Sequence, residues 1–360
     1  MFSSRLDLTP NSKCGPAERA AFTCFKGRLT MLKWVTAVST AAIAATIAFT
    51  APAAAADKVT LMLNWYVYGE HAPFYYGKAK GIYAAEGIDL DIQEGRGSAA
   101  TVQAVAAKTV NFGYADVPTM MRAAVKGAPV IATGVLLQTT AMSAMGFVDK
   151  NIKKAEDLKG KTVAVTPADA LSQIWPLFLK KAGLKESDLK TVAGDAQTKL
   201  NAVINGQADV LLGYVMDQSM KIKDATGKDV NAIKFADYGI HLVSSGIIAN
   251  TDWAKANPDL VKRFMKATIK SVEEAQKEPK VAAQSILDAN PKGGKIDTLT
   301  QGFELTTQFY KTPETKAKPV FSVTDQNMKE SVELMVEYGG LEAKAKDNPK
   351  AFYTNDYLPK

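Results

Sequence analysis

From Lys58 onward, short apolar runs alternate with stretches of helical period. Lys58 to Leu63 reads as a buried strand, and Phe74 to Ala84 as a helix that Glu86-Gly87 ends. Ile88 to Ile92 alternates apolar and acidic residues with period two, the mark of a half-buried strand. Gly95 to Ser98 supplies a turn, and Ala99 to Lys108 a helix with Ser98 as its cap. Val110 to Tyr114 is a short strand, Thr119 to Lys126 a helix closed by Gly127, and Val130 to Gln138 another buried strand.

A second series follows. Lys161 to Val165 is a strand, Thr166 to Asp169 a turn, and Ala170 to Lys181 a helix ended by Gly183. Lys190 to Ala193 and Asp209 to Val215 are strands on either side of a helix from Ala196 to Asn205. Two successive β/α series in one chain predict two α/β lobes, each with a mostly parallel sheet. The C-terminal third is mainly helical. Asn257-Pro258 starts a helix in which Leu260, Val261, Phe264, Met265, Thr268, Ile269 and Val272 recur at helical spacing, a core-facing stripe.

The start of the chain has a different character. Met31-Leu32-Lys33-Trp34 opens an apolar run from Val35 to Phe49, followed by Ala-rich residues up to Ala56. A basic start, a short apolar stretch and an Ala-x-Ala end read as a secretory signal peptide cleaved after Ala56. Residues 1–30 lack any hydrophobic period, so Met31 is the expected true start. The expected location is the periplasm. Of 44 basic and 37 acidic residues in 360, removal of 1–56 leaves 38 and 35, a net charge of +3. No dense basic patch survives, which removes the compositional case for nucleic-acid binding. Both cysteines, Cys14 and Cys24, lie in the removed segment. The mature chain therefore has no disulfide, no thiolate zinc site and no cysteine nucleophile.

In α/β sheets ligands collect beyond the carboxyl ends of strands. Four segments take that place. Asn64 to His71 follows the first strand and joins Trp65, Tyr66 and Tyr68 to an amide and a histidine, a combination suited to a flat, partly polar ligand. The alternative is a turn with buried aromatics. Gly97-Ser98-Ala99-Ala100-Thr101 offers a helix start to an anionic or acceptor group, or is a plain cap. Gly95-x-Gly97-x-x-Ala100 with Asp116 also loosely fits a dinucleotide fingerprint, but a lone match is weak and an exported protein meets no NAD pool. Thr166 and Asp169 occupy the equivalent turn of the second lobe, as ligands or as caps. Tyr214 ends the strand from Asp209, as the second wall of an aromatic clamp or as core.

Mature histidines are only His71 and His241, with no zinc-binding spacing. There is no Gly-x-Ser-x-Gly elbow and no phosphate loop. No nucleophile is paired with a base. The pattern is that of a binder, without catalytic residues, metal or cofactor.

Leu63-Asn64-Trp65, His71-Ala72-Pro73, Tyr75 and the run from Lys78 to Leu90 resemble the opening of the thiamine-pyrimidine family of binding proteins. These belong with the taurine, alkanesulfonate and nitrate binding proteins of ABC importers. Asp157-Leu158-Lys159-Gly160-Lys161 and Asn205-Gly206-Gln207-Ala208-Asp209 are similar to signatures of that wider group. The resemblance covers about residues 58–275. It implies a type II periplasmic binding fold, two lobes joined by two crossing strands, with ligand in the cleft and closure by a hinge. Crossings near Met142–Val148 and His241–Ile247 make lobe 1 residues 57–143 plus 245–360, and lobe 2 residues 144–244. The implied partners are a small-molecule ligand and a membrane permease, with the protein itself a monomer.

The family's Asn-Trp pair matches Asn64 and Trp65, with Tyr66 as aromatic neighbour. The acidic residue expected shortly after the glycine matching Gly213 is displaced here to Asp217. The family also includes a fungal pyrimidine synthase that holds pyridoxal phosphate on a lysine and consumes its own histidine. Both fall just after the strand matching Val110–Gly113, where this chain has neither in Tyr114 to Met120. Trp65, Tyr66 and Tyr214 are thus expected to stack on a ligand. Asn64, His71, Ser98, Asp116, Thr166 and Asp169 are expected to hydrogen-bond it. Ser98 and Thr101 would favour a carboxylate or sulfonate, in whose presence Asp116 and Asp169 are tolerable only as helix caps.

Overall fold

Ten strands build two five-stranded sheets among the described residues, 55–360 of a computed structural model. The start at Met31 and the signal segment lie outside those residues, apart from Ala55 and Ala56. No helix among the described residues is long and apolar enough to cross a membrane. In chain order the strands are β1 Asp57–Met62, β2 Ile88–Gln93, β3 Phe112–Asp116, β4 Val130–Val135, β5 Met142–Phe147, β6 Thr162–Val165, β7 Lys190–Ala193, β8 Val210–Tyr214, β9 Val230–Lys234 and β10 Ser245–Asn250. The first sheet has the order β2-β1-β3-β10-β4 and the second β7-β6-β8-β5-β9.

Each sheet is parallel except for one strand. β10 runs antiparallel to β3 and β4, and β5 runs antiparallel to β8 and β9. These reversed strands are the ones the chain enters on crossing from the other sheet. The first crossover is 136–141, earlier than the expected Met142–Val148, because Met142 already pairs with Tyr214 in the second sheet. The second is 235–244, ending where Ser245 pairs with Asp116. The strand β9, which the sequence reading did not pick out, is an edge strand with only one buried residue, Ile233, so its periodicity is faint.

The helices are α1 Ala72–Ala79, α2 Ile82–Ala85, α3 Ser98–Ala106, α4 Val117–Val125, α5 Ala170–Lys181, α6 Ala196–Ile204, α7 Gln218–Thr226, α8 Thr251–Ala256, α9 Pro258–Ala275, α10 Pro279–Ala289, α11 Ile296–Thr307 and α12 Asp325–Glu337. The single helix expected over Phe74–Ala84 is two, because Gly81 takes a left-handed φ of 71° and breaks the ladder. In α9 the predicted stripe is buried apart from half-buried Leu260, and Phe264 stacks on Phe112 of β3 with centroids 3.9 Å apart. Burying one such ring is worth about 2 kcal/mol, so this contact fixes α9 against the sheet. On the facing side α3 lies directly on β3. A methyl group at Gly113 would stand 2.8 Å from Thr101 Cγ2, so only glycine permits that approach. These contacts hold the carboxyl ends of β1 and β3 in place, where the site begins.

Candidate functional site

The ends of β1, β6 and β8 converge on one cavity. Asn64, Trp65, Gly97 and Ser98 line it from the first sheet, and Asp169, Ala170, Leu171, Lys199, Tyr214 and Gln218 from the second. Its volume is about 30 Å³, room for a water or two, against several hundred Å³ for a typical small-ligand site. The two walls therefore stand closed on each other, and a ligand enters only if they part.

Five of the ten residues proposed from sequence line this cavity: Asn64, Trp65, Ser98, Asp169 and Tyr214. The other five do not, and their partners show why. His71 is fully buried behind Asn64, with Nε2 2.9 Å from Asn64 Oδ1 and its ring edge-on between Tyr68 and Tyr114. Burial, with Lys221 adding a smaller push, lowers its pKa to about 3, so the ring is neutral and orients the amide. Thr101 Oγ1 donates to the Leu63 carbonyl at 2.8 Å, which ties α3 to the end of β1. Asp116 caps α4, accepting from Thr119 N–H and Oγ1. Thr166 Oγ1 is buried without a partner, next to the cavity wall in sequence but not in it.

Tyr66 is the largest departure. Its expected place on the ligand is taken by a contact between the two lobes. The hydroxyl donates to Asp217 Oδ2 at 2.6 Å and accepts from Gln218 Nε2 at 3.2 Å, while Lys221 Nζ stands 3.4 Å from the ring centroid. Burial and the neighbouring Asp217 carboxylate push the Tyr66 pKa well up, so the hydroxyl keeps its proton as donor. Arg122 makes a second bridge between the lobes, from α4 to the Gln173 carbonyl in α5 at 2.6 Å.

Ser98 is not the cap of α3. Gly97 occupies that position at φ 120°, and the Ser98 hydroxyl accepts the Asp116 N–H at 3.1 Å. Its own proton remains free for the cavity. Asp169 does cap its helix, accepting from Ser172 N–H at 2.7 Å. Its other oxygen lies 3.7 Å from Lys199 Nζ. The preceding Ala168 is held at φ 62°, a left-handed conformation that costs about 1 kcal/mol outside glycine.

Lys199 escaped the sequence reading. It lies on α6, three and four residues before buried Ala202 and Val203, so it occupies the apolar face. A lysine in that stripe was the available signal. Its side chain is 1% exposed, and its ammonium stands 5.6 Å from the Trp65 ring centroid. Burial lowers its pKa, and Asp169 opposes that shift. Gln218 was missed too, one residue beyond the Asp217 that was noticed.

Trp65 Nε1, Tyr214 Oη and Gln218 Oε1 of the cavity lining have no hydrogen-bond partner, and neither do Thr166 Oγ1, His71 Nδ1 and Asp217 Oδ1 of the neighbouring residues. Buried polar groups are normally satisfied, so these atoms stand apart from the rest of the interior. Among the described residues no cluster of three or more His, Cys, Asp or Glu side chains could hold a metal ion.

The profile of the NMT1/THI5-like family matches residues 69–282. The chain belongs to that family. The membership agrees with the resemblance read from Asn64-Trp65 and the segments after it. The riboflavin-binding protein RibY of Chloroflexus aurantiacus is 26% identical over 309 residues, covering 84% of this chain and 86% of that protein. A 4-amino-5-hydroxymethyl-2-methylpyrimidine phosphate synthase of Legionella pneumophila is 25% identical, covering 74% of this chain and 81% of the relative. The periplasmic aliphatic sulphonate binding protein SsuA from Escherichia coli superposes with a TM-score of 0.65 at 14% identity, covering 84% of this chain and 99% of that one. The fold is that of the periplasmic binding proteins, and the family contains both binders and synthases.

Proposed function

We propose that this protein is an exported solute-binding protein, a monomer that captures a small, flat, uncharged heterocycle and passes it to the permease of an ABC importer. The observation that carries the reading is the cavity itself. Residues from both sheets close on it, Trp65 and Tyr214 give it aromatic walls, and unpartnered polar atoms are buried around it. Similarity to a riboflavin-binding protein and to pyrimidine synthases supports a nitrogen heterocycle.

The charges argue for a neutral guest. Lys199 is matched by Asp169, and Asp217 by Lys221 at 3.8 Å. An anion would leave the buried set with an excess negative charge, which is costly. The fold shared with SsuA supports the second reading, a sulfonate or nitrate held at the start of α3. Against it, the equivalent start of α5 is already filled by the carboxylate of Asp169.

A synthase reading fits the residues less well. Tyr114 to Met120, the end of β3 and the start of α4, holds neither the lysine nor the histidine that the resemblance calls for, and Asp116 is spent on its cap. The cavity's own lysine is ion-paired. Pyridoxal phosphate therefore finds no matching site after β3, and no step through it is drawn.

A thermal-shift screen of the purified protein against pyrimidines, flavins, aromatic acids, sulfonates and nitrate tests the proposal. A ligand at a hundredfold excess over its Kd adds about 2.7 kcal/mol of stability. Stabilisation by a heterocycle without turnover supports the reading. A response confined to sulfonates or nitrate, or product formation from the bound heterocycle, overturns it.

A further inference from the structure

The polar groups facing the cavity are not evenly divided between donors and acceptors. Asn64 Oδ1 is committed to His71, which leaves the amide NH₂ as its free end, with one long contact to Ser245 Oγ at 3.4 Å. Trp65 Nε1–H has no acceptor. Ser98 Oγ accepts the Asp116 N–H and has its own proton still to give. Lys199 has one carboxylate within 4 Å, Asp169 at 3.7 Å, longer than a hydrogen bond, and keeps protons to give. On the acceptor side, one Asp169 oxygen accepts the Ser172 N–H, and the other lies beside the Lys199 ammonium at 3.7 Å without a hydrogen bond. Gln218 Oε1 is a further acceptor without a partner, and Tyr214 Oη can act either way, so the donors still outnumber the acceptors.

We propose that the site selects an oxo-heterocycle presenting an imide edge, two carbonyl acceptors flanking one N–H, over an amino-substituted pyrimidine. This rests on the heterocycle reading above and narrows it. Four donors from both walls, Asn64, Trp65, Ser98 and Lys199, meet the carbonyl oxygens and ring nitrogens. Gln218 Oε1 takes the single N–H. An exocyclic amine would instead turn its hydrogens toward a donor-rich wall, leaving donors unpaired on both sides. A site built to hydrogen-bond one pattern rejects the mismatched one strongly, because its buried groups are then left without partners.

The test is calorimetric titration of the purified protein with lumichrome and thymine, their N3-methylated counterparts, 4-amino-2-methylpyrimidine and methanesulfonate. The expected result is binding of at least one imide probe, with affinity at least tenfold above both the amine and the N-methylated analogue. Trp65→Phe, which keeps a ring and loses the N–H, and Lys199→Gln, which keeps a donor without the charge, should each weaken the imide about tenfold. Both variants should still melt cooperatively. If the aminopyrimidine binds as well or better, the imide assignment fails while the heterocycle reading stands. If methanesulfonate alone binds, or no probe does, both fail. Equal affinity of the N3-methylated imide also overturns the assignment, since Gln218 would then accept nothing.

Discussion

Glu70 gives a stability prediction whose sign and size follow from its surroundings. The side chain is fully buried, and its two oxygens accept from Tyr68 and Tyr114 hydroxyls, each at 2.5 Å. Burial raises its pKa from 4.5 to about 7; the Tyr114, Tyr68 and Ser245 hydroxyls oppose the rise, and Asp217 adds to it. A carboxyl with a raised folded pKa binds its proton more tightly in the native state. Its contribution is therefore full below the unfolded value of 4.5 and is lost as pH rises through about 7. A rise of that size corresponds to about 3 kcal/mol, as an upper figure. Glu70→Gln keeps a neutral amide in the same place and removes the titration. Urea unfolding at pH 5, 6, 7 and 8 should show the variant gaining on the wild type by about 2–3 kcal/mol between the ends. Asp116, raised by burial to about 6, and His71, lowered to about 3, tilt both proteins alike and cancel in the difference. A difference that stays flat across the range refutes the account.

Tyr66→Phe removes a charge-assisted hydrogen bond between the lobes, worth about 1.5–3 kcal/mol. The closed form should lose population about tenfold or more, seen as a larger radius of gyration by small-angle scattering; an unchanged profile counts against Tyr66 as a latch. Trp65→Ala removes the aromatic wall and its contact with Lys199, so the Kd for whichever flat ligand the screen finds should rise roughly tenfold to a hundredfold. Unchanged affinity in titration would show that stacking does not hold the ligand. Ala168→Gly relieves a left-handed φ and should raise stability by up to about 1 kcal/mol in urea melts, less the entropy glycine adds to the unfolded chain. A loss of stability would show that the turn is not strained.

Much of the fold could be read from the sequence because its signals are local. β2 alternates Ile88, Leu90 and Ile92 against Asp89 and Asp91, and the stripe of α9 repeats from Leu260 to Val272, so period alone finds them. Helix α5 spans Ala170–Lys181 as expected, since Asp169 starts it and Gly183 follows its end. What period could not show was where the chain changes sheets. Leu136 to Met145 is buried throughout, apart from half-buried Thr139, and a continuous buried run carries no mark of which sheet its strand joins. That is why the crossover sits six residues before its expected start.

For the site, position in the chain located the right loops, but side-chain direction depended on partners that only the fold supplies. Asn64, Trp65 and Tyr66 are consecutive, and a sequence cannot say which of them faces the ligand. Asn64 points inward because His71 stands behind it, and Tyr66 turns aside because Asp217 lies 151 residues on, within reach of its hydroxyl. Asp217 also accounts for the acid that seemed displaced from its place after Gly213. At that later position the carboxylate meets Tyr66 and Lys221 at the contact between the lobes, outside the ligand cavity. Asp217 thus holds the lobes together, and no acid after Gly213 lines the cavity. Recognition then falls to groups of the opposite kind, Lys199 and the free amide of Asn64, which is the physical reason a chain of this family can prefer a ligand rich in acceptors.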